Sequence, residues 1–132
     1  MRDYRQLPAF QTAQQLFLAL YEATLPLTQQ AAGGLASRMR DAAVAAAAAI
    51  VRGCALPAPQ LLEQLAEARR HLRELGAEID LAERLGDLDL ATAVELLEHQ
   101  TRARLEIAAL AASLAAPPAL IRPSAAAAAP AS

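Results

Sequence analysis

Apolar positions along the chain fall into four blocks of helical spacing, separated by Pro and Gly. In the first block, Phe10, Ala13, Phe17, Leu20 and Thr24 recur at steps of three and four, which in a helix places them on one face. Pro8 suits a first helical position, and "LPLTQQAAGG" after Thr24 supplies a Pro and a Gly pair as breakers. An amphipathic helix is expected over about residues 8–24.

The second block spans about residues 34–52 and ends at Gly53, a residue suited to a left-handed cap. Its best stripe is Leu35, Met39, Ala42, Ala46 and Ala49, yet Ala43, Ala47, Ile50 and Val51 cover other faces. A helix apolar nearly all round packs on more than one side. The third block, about 59–85, has the clearest pattern: Leu61, Leu65, Ala68, Leu72, Leu75, Ile79 and Ala82 alternate steps of four and three. Gly86 stops it, and Asp89 offers an N-cap for a fourth helix over about 90–114.

That last block carries two apolar rows. The stripe expected to face the core is Leu90, Val94, Leu97, Thr101, Leu105, Ala108 and Ala112. A second row, Leu96, Ala103, Ile107, Leu110 and Leu114, exceeds what one bundle core requires. Short connections favour antiparallel neighbours, so the expected fold is an all-α, up-down-up-down four-helix bundle over residues 1–115. Residues 116–132 mix Pro, Ser and Ala without a stripe, and a disordered tail is expected there.

The excess apolar surface points to self-association through Ala43, Ala47, Ile50, Leu96, Ala103, Ile107, Leu110 and Leu114. Composition agrees with an all-α class: 55% of residues are apolar, mostly Ala and Leu, and only 3% are aromatic. The longest unbroken apolar run, Ala42 to Val51, is far short of the roughly 20 residues a membrane span needs. The opening residues lack the apolar core of a signal peptide, and a single cysteine allows no internal disulfide, so a cytoplasmic protein is expected.

The residues also resemble a known family. "MRDYRQL" followed by Phe10, "GLASRMRDAAVA" from Gly34, Ile50 with Gly53, "EL" at Glu74 and Leu75, and "LGDLD" at Leu85 to Asp89 occur in order. In these the chain resembles bacterial four-helix bundle proteins encoded in intervening sequences of large-subunit ribosomal RNA genes. It is similar too to their relatives, the accessory proteins of diversity-generating retroelements. The resemblance implies a left-handed bundle assembling as a homopentamer. For the retroelement relatives it implies a basic surface that binds RNA or DNA and a reverse transcriptase. The chain departs from the family pattern at Ala45, where a Ser is usual, and at Ala49 and Arg52, where Asn and Glu are usual. Arg70 and His71 stand where a Gly-Ser pair is common.

Two groups of polar residues bear on chemistry. Glu67 with His71 and Glu95 with His99 are Glu/His pairs at a spacing of four, the candidates for a metal site, although bundle di-metal sites use a spacing of three and further carboxylates. Arg38, Arg40, Arg69, Arg70, Arg73, Arg102 and Arg104 are candidate nucleic-acid contacts. Against that stand the net charge of −2 and acids placed four residues away: Arg70 with Glu74, Asp80 with Arg84, and Arg102 with Glu98 and Glu106. Cys54 has no His near it in sequence and follows a helix end whose dipole disfavours a thiolate, so it reads as a structural thiol. No phosphate loop, paired-cysteine motif or nucleophile elbow is present, so neither an enzyme nor a cofactor is expected.

Overall fold

The computed structural model describes residues 2–27 and 34–115. They form α1 (Pro8–Thr24), α2 (Leu35–Cys54), α3 (Ala58–Arg84) and α4 (Leu90–Ala115), with short 3-10 turns at Tyr4–Gln6 and Leu25–Leu27. Each helix packs on its sequence neighbours and α4 closes onto α1, which gives the expected up-down-up-down bundle. Among the described residues no helix is long and apolar enough to cross a membrane. The tail expected at residues 116–132 lies outside the described residues.

The connection from α3 to α4 follows the local chemistry closely. Gly86 adopts φ 84°, a left-handed conformation that costs glycine little. This lets Asp87 N–H bond the Ala82 carbonyl at 2.9 Å and Gly86 N–H the Glu83 carbonyl at 3.0 Å, so the last carbonyls of α3 are satisfied. Leu88 is buried in the turn. Asp89 then caps α4, its Oδ1 accepting from Thr92 N–H at 2.8 Å, and that bond holds the Asp89 carboxyl below its ordinary range.

All seven apolar positions expected on α3 are fully buried. On α2, Met39, Ala42, Ala46 and Ala49 are buried as expected and Leu35 is half-buried. Ala36, Ala43, Ile50, Gly53 and Cys54 are buried as well, so the buried arc of α2 is broad. Gly53 lies inside the helix rather than in a left-handed cap. Its role is close approach: a Cβ there would sit 2.6 Å from Leu61 Cδ1 and 3.0 Å from Gln64 Cβ. The small residues of α2 thus let α3 come near, as close-packed interiors require.

Two phases differ from expectation. The buried row of α1 is Ala9, Ala13, Leu16, Leu20 and Thr24, while Phe10 and Phe17 are half-buried at its flank. There Phe10 meets Tyr4 edge to face at 4.9 Å, and Phe17 lies 5.9 Å from Tyr21. The small residues of the α1 row suit a bundle built around an alanine-rich neighbour, and the rings are left to cover its edge. The larger correction concerns α4, whose buried residues are Ala93, Leu96, Gln100, Ala103 and Ile107. Leu90, Val94 and Leu105, expected inside, are exposed by 66%, 47% and 63%. Opposite the large side chains of α3, a row alternating Ala with larger residues interdigitates where a second leucine-rich row would overpack.

Filling the space at Gly53 tests the close approach of α2 and α3. Gly53→Val is expected to cost about 1–3 kcal/mol through overpacking, read as a lower denaturant midpoint with unchanged slope.

Candidate functional site

Where α4 lies beside α3, one polar contact sets their register. Gln100 is 5% exposed, and its Nε2 donates to the Leu72 carbonyl at 2.8 Å. It lies over Gly76, where a Cβ would meet that nitrogen at 2.9 Å. A buried amide is tolerated when it is bonded, and here it identifies the flank of α3 that faces α4. Gly76 follows the core residue Leu75, and Arg69 and Arg73 likewise each follow a core residue, so all three share that flank. On α4, Thr92 and Glu95 line a groove with Ala19, Glu22 and Ala23 of α1. Leu97 and Arg104, on the other side of the core row, therefore face α3.

The arginines divide by what they touch. Arg40, a candidate nucleic-acid contact in sequence, is engaged within the bundle. Its Nε donates to Thr24 Oγ1 at 2.8 Å and its Nη2 to the Tyr21 carbonyl at 3.0 Å. The guanidinium also sits 4.1 Å from the centroid of the Tyr21 ring. Thr24 in turn donates to the Leu20 carbonyl at 2.7 Å. Arg40 therefore clamps the end of α1 to α2. Arg70 lies between Glu67 at 2.8 Å and Glu74 at 3.5 Å, and Asp80 with Arg84 forms the expected pair at 3.0 Å. Arg102 donates to His99 Nδ1 at 3.3 Å instead of meeting Glu98 or Glu106.

Arg69, Arg73 and Arg104 differ from these. All three are exposed, and no hydrogen bond or ion pair engages them among the described residues. Arg104 is one turn beyond Gln100 and Arg69 is one turn before Leu72, so antiparallel packing brings them to one level. The α3/α4 face thus carries a basic cluster level with the exposed Leu105, while the exposed Leu90 and Val94 lie further along α4 towards its start.

The two Glu/His pairs do not come together. His71 lies on the α2 side of α3, in a groove with Arg38, Asp41, Ala42, Ala45, Glu74 and Glu78. Its Nε2 is 3.8 Å from Glu67 and its Nδ1 3.5 Å from Glu74. Glu95 lies in the groove between α4 and α1, with His99 one turn along that same flank. Among the described residues no group of three or more His, Cys, Asp or Glu is placed to hold a metal ion.

The interface residues expected from sequence are also relocated. Ala43, Ile50, Leu96, Ala103 and Ile107 belong to the single-chain core, so they are not free to meet another copy. Ala47, Leu110 and Leu114 are half-buried against that core. Cys54 is buried, and burial pushes its thiol above the ordinary range, as suits an unreactive cysteine. The chain matches no family model and no curated protein.

Glu78 is a feature that periodicity did not flag. It is half-buried, and its Oε1 is shielded from solvent without a hydrogen-bond partner among the described residues. Burial raises its carboxyl above the usual range; Glu74 and Asp41 add to this, while Arg38 opposes it. A carboxyl raised in the folded state favours folding in acid, and that contribution is lost as pH climbs from the ordinary carboxylate range through the raised value. Glu78→Gln is therefore expected to raise the melting temperature at neutral pH. The difference should vanish in acid, as followed by thermal melts from pH 3 to 8.

Proposed function

We propose that this chain is a non-enzymatic, self-assembling four-helix bundle of the cytoplasm, with a structural or scaffolding role. One observation carries the reading. After the core is complete, a row of apolar side chains on one side of α4, Leu90, Val94 and Leu105 with half-buried Leu97 between, remains outside it. A monomer gains nothing from such a row, whereas a docking face does. The resemblance to the ribosomal-RNA intervening-sequence proteins supports assembly and implies five copies. Val94→Glu with Leu90→Glu should yield a monomer of unchanged helical content, because neither side chain contributes to the core. Light scattering at micromolar concentration reads the mass, and a wild-type chain that stays monomeric would sink the proposal.

A second reading, a nucleic-acid-binding accessory protein of the retroelement or ribosomal-RNA type, is favoured by the cluster of Arg69, Arg73 and Arg104. It would contact phosphates through these three, which share one face; Arg38 is exposed as well but stands apart, in the groove with His71. Binding to RNA or DNA would then weaken with salt at a log–log slope of about −2 to −3. A titration showing no binding at low salt counts decisively against it.

A further inference from the structure

Large apolar side chains outside the core gather on two opposite sides of the bundle. Both α1 and α3 pack on α2 and on α4, so the α1/α2 side stands opposite the α3/α4 side. The α3/α4 side carries the outer row of α4, exposed Leu90 and Val94 with half-buried Leu97. The α1/α2 side carries a second row, Leu18, Tyr21 and Leu25, all exposed, with exposed Val44 of α2 beyond it. Leu18 stands nearly opposite the buried Leu16 and Leu20 of its own helix, and Tyr21 lies on the α2 flank, where its ring meets Arg40.

The two rows match in spacing and in height. Along α1 the steps are three and four, from Leu18 to Tyr21 to Leu25; back along α4 they are again three and four, from Leu97 to Val94 to Leu90. The groove between these antiparallel helices places Ala19, Glu22 and Ala23 against Thr92, Glu95 and Leu96. Leu18 is thereby level with Leu97, Tyr21 with Val94, and Leu25 with Leu90. Height decides what kind of assembly follows. Two different faces that meet head to tail build a helical filament when they are offset along the axis, and close into a ring when they are level and the rotation closes.

We propose that the outer α4 row of one copy docks on the outer α1 row of the next, in a closed head-to-tail ring whose axis runs along the bundle. Leu97, Val94 and Leu90 then meet Leu18, Tyr21 and Leu25 of the partner subunit, and α3 comes opposite α2 of the partner subunit. This docking rests on the reading of self-assembly through the outer row of α4 and names the surface that receives it; a five-copy ring is one such closure. Charge selects a second copy as the occupant. Six residues before Gln100 is Val94, and the same displacement from the Leu72–Gly76 segment along antiparallel α3 reaches Asp80. Asp80 meets Arg84 through Oδ2 alone, and the Arg40 guanidinium is held at the level of Tyr21. Asp80 therefore stands between Arg84 of its own chain and Arg40 of the partner subunit, one carboxylate shared by two guanidiniums. Arg69, Arg73 and Arg104 come level with Gln11 and Gln14 of the partner subunit, whose amide oxygens accept from guanidinium. No like charge opposes them on α1, whose single charged residue, Glu22, lies on its α4 flank.

Single-sided variants test the docking. Leu18→Glu touches neither the core nor the α4 row, yet should weaken self-association on the order of tenfold or more, with helical content by circular dichroism unchanged. Mixed with Val94→Glu chains, it should give a two-chain species in sedimentation equilibrium, because one intact α4 row and one intact α1 row remain between them. Cysteines locate the contact with a milder change. Leu18→Cys chains mixed with Glu98→Cys chains should link to each other under mild oxidation, read by mass spectrometry, in preference to linking to themselves; Cys54 is buried and stays silent. Association indifferent to Leu18→Glu, a mixture of the two Glu variants that stays monomeric, or Glu98→Cys chains that link only to themselves would overturn the head-to-tail docking and leave self-assembly standing. A wild-type chain that is monomeric at every concentration overturns both.

Discussion

Gln100, buried between α3 and α4, holds the carbonyl of Leu72 at 2.8 Å and rests on the bare backbone of Gly76. An apolar side chain there would let α3 and α4 slide by a turn at little cost, because leucine stripes are nearly self-similar along their length. The amide has one place where its donor is satisfied, and leaving it unbonded in the core would cost about 1–3 kcal/mol. Register follows from that bond. So does the level of Arg104 against Arg69 on the outer face.

A different device holds the other half of the bundle. The alanine-rich helix α2 presents small residues over a broad arc, and Gly53 brings its end against Leu61 and Gln64. Small residues make a close inner wall but leave few directional contacts to fix how α1 lies on α2. Arg40 supplies them by joining Thr24, the Tyr21 carbonyl and the Tyr21 ring. The run of alanines is therefore an internal surface of one chain. Ala49 is buried in that wall, and Arg52 Nε reaches Gln64 across the helix pair at 3.3 Å.

Much of this was legible in the chain itself. Helix number and boundaries followed from Pro8, Gly86, Asp89 and the spacing of apolar residues, because caps and breakers act over a few residues. The α3 core was readable in full, since that helix has a single apolar row with charges elsewhere. For α1 the expected row took in the bulky aromatic residues, and for α4 the bulkier of two apolar rows was expected inside. Hydrophobicity favoured Phe10 and Phe17, and Leu90, Val94 and Leu105. The structure buries the rows with smaller residues, because the space opposite was already filled. Arg40 shows the same limit for polar groups: its spacing looked like a surface charge, and only a neighbouring helix end made it a clamp.

Local chemistry in the sequence thus determined four helices, their ends, their antiparallel order and the leucine seam of α3. The tertiary structure alone decided which face of α4 is inside, that Gln100 is a core residue, that the two Glu/His pairs stay on separate flanks, and which arginines find partners among the described residues. The physical reason is that a helix with two apolar rows has two nearly equivalent phases. Steric fit against its neighbours, together with the demand that a buried amide be bonded, selects between them.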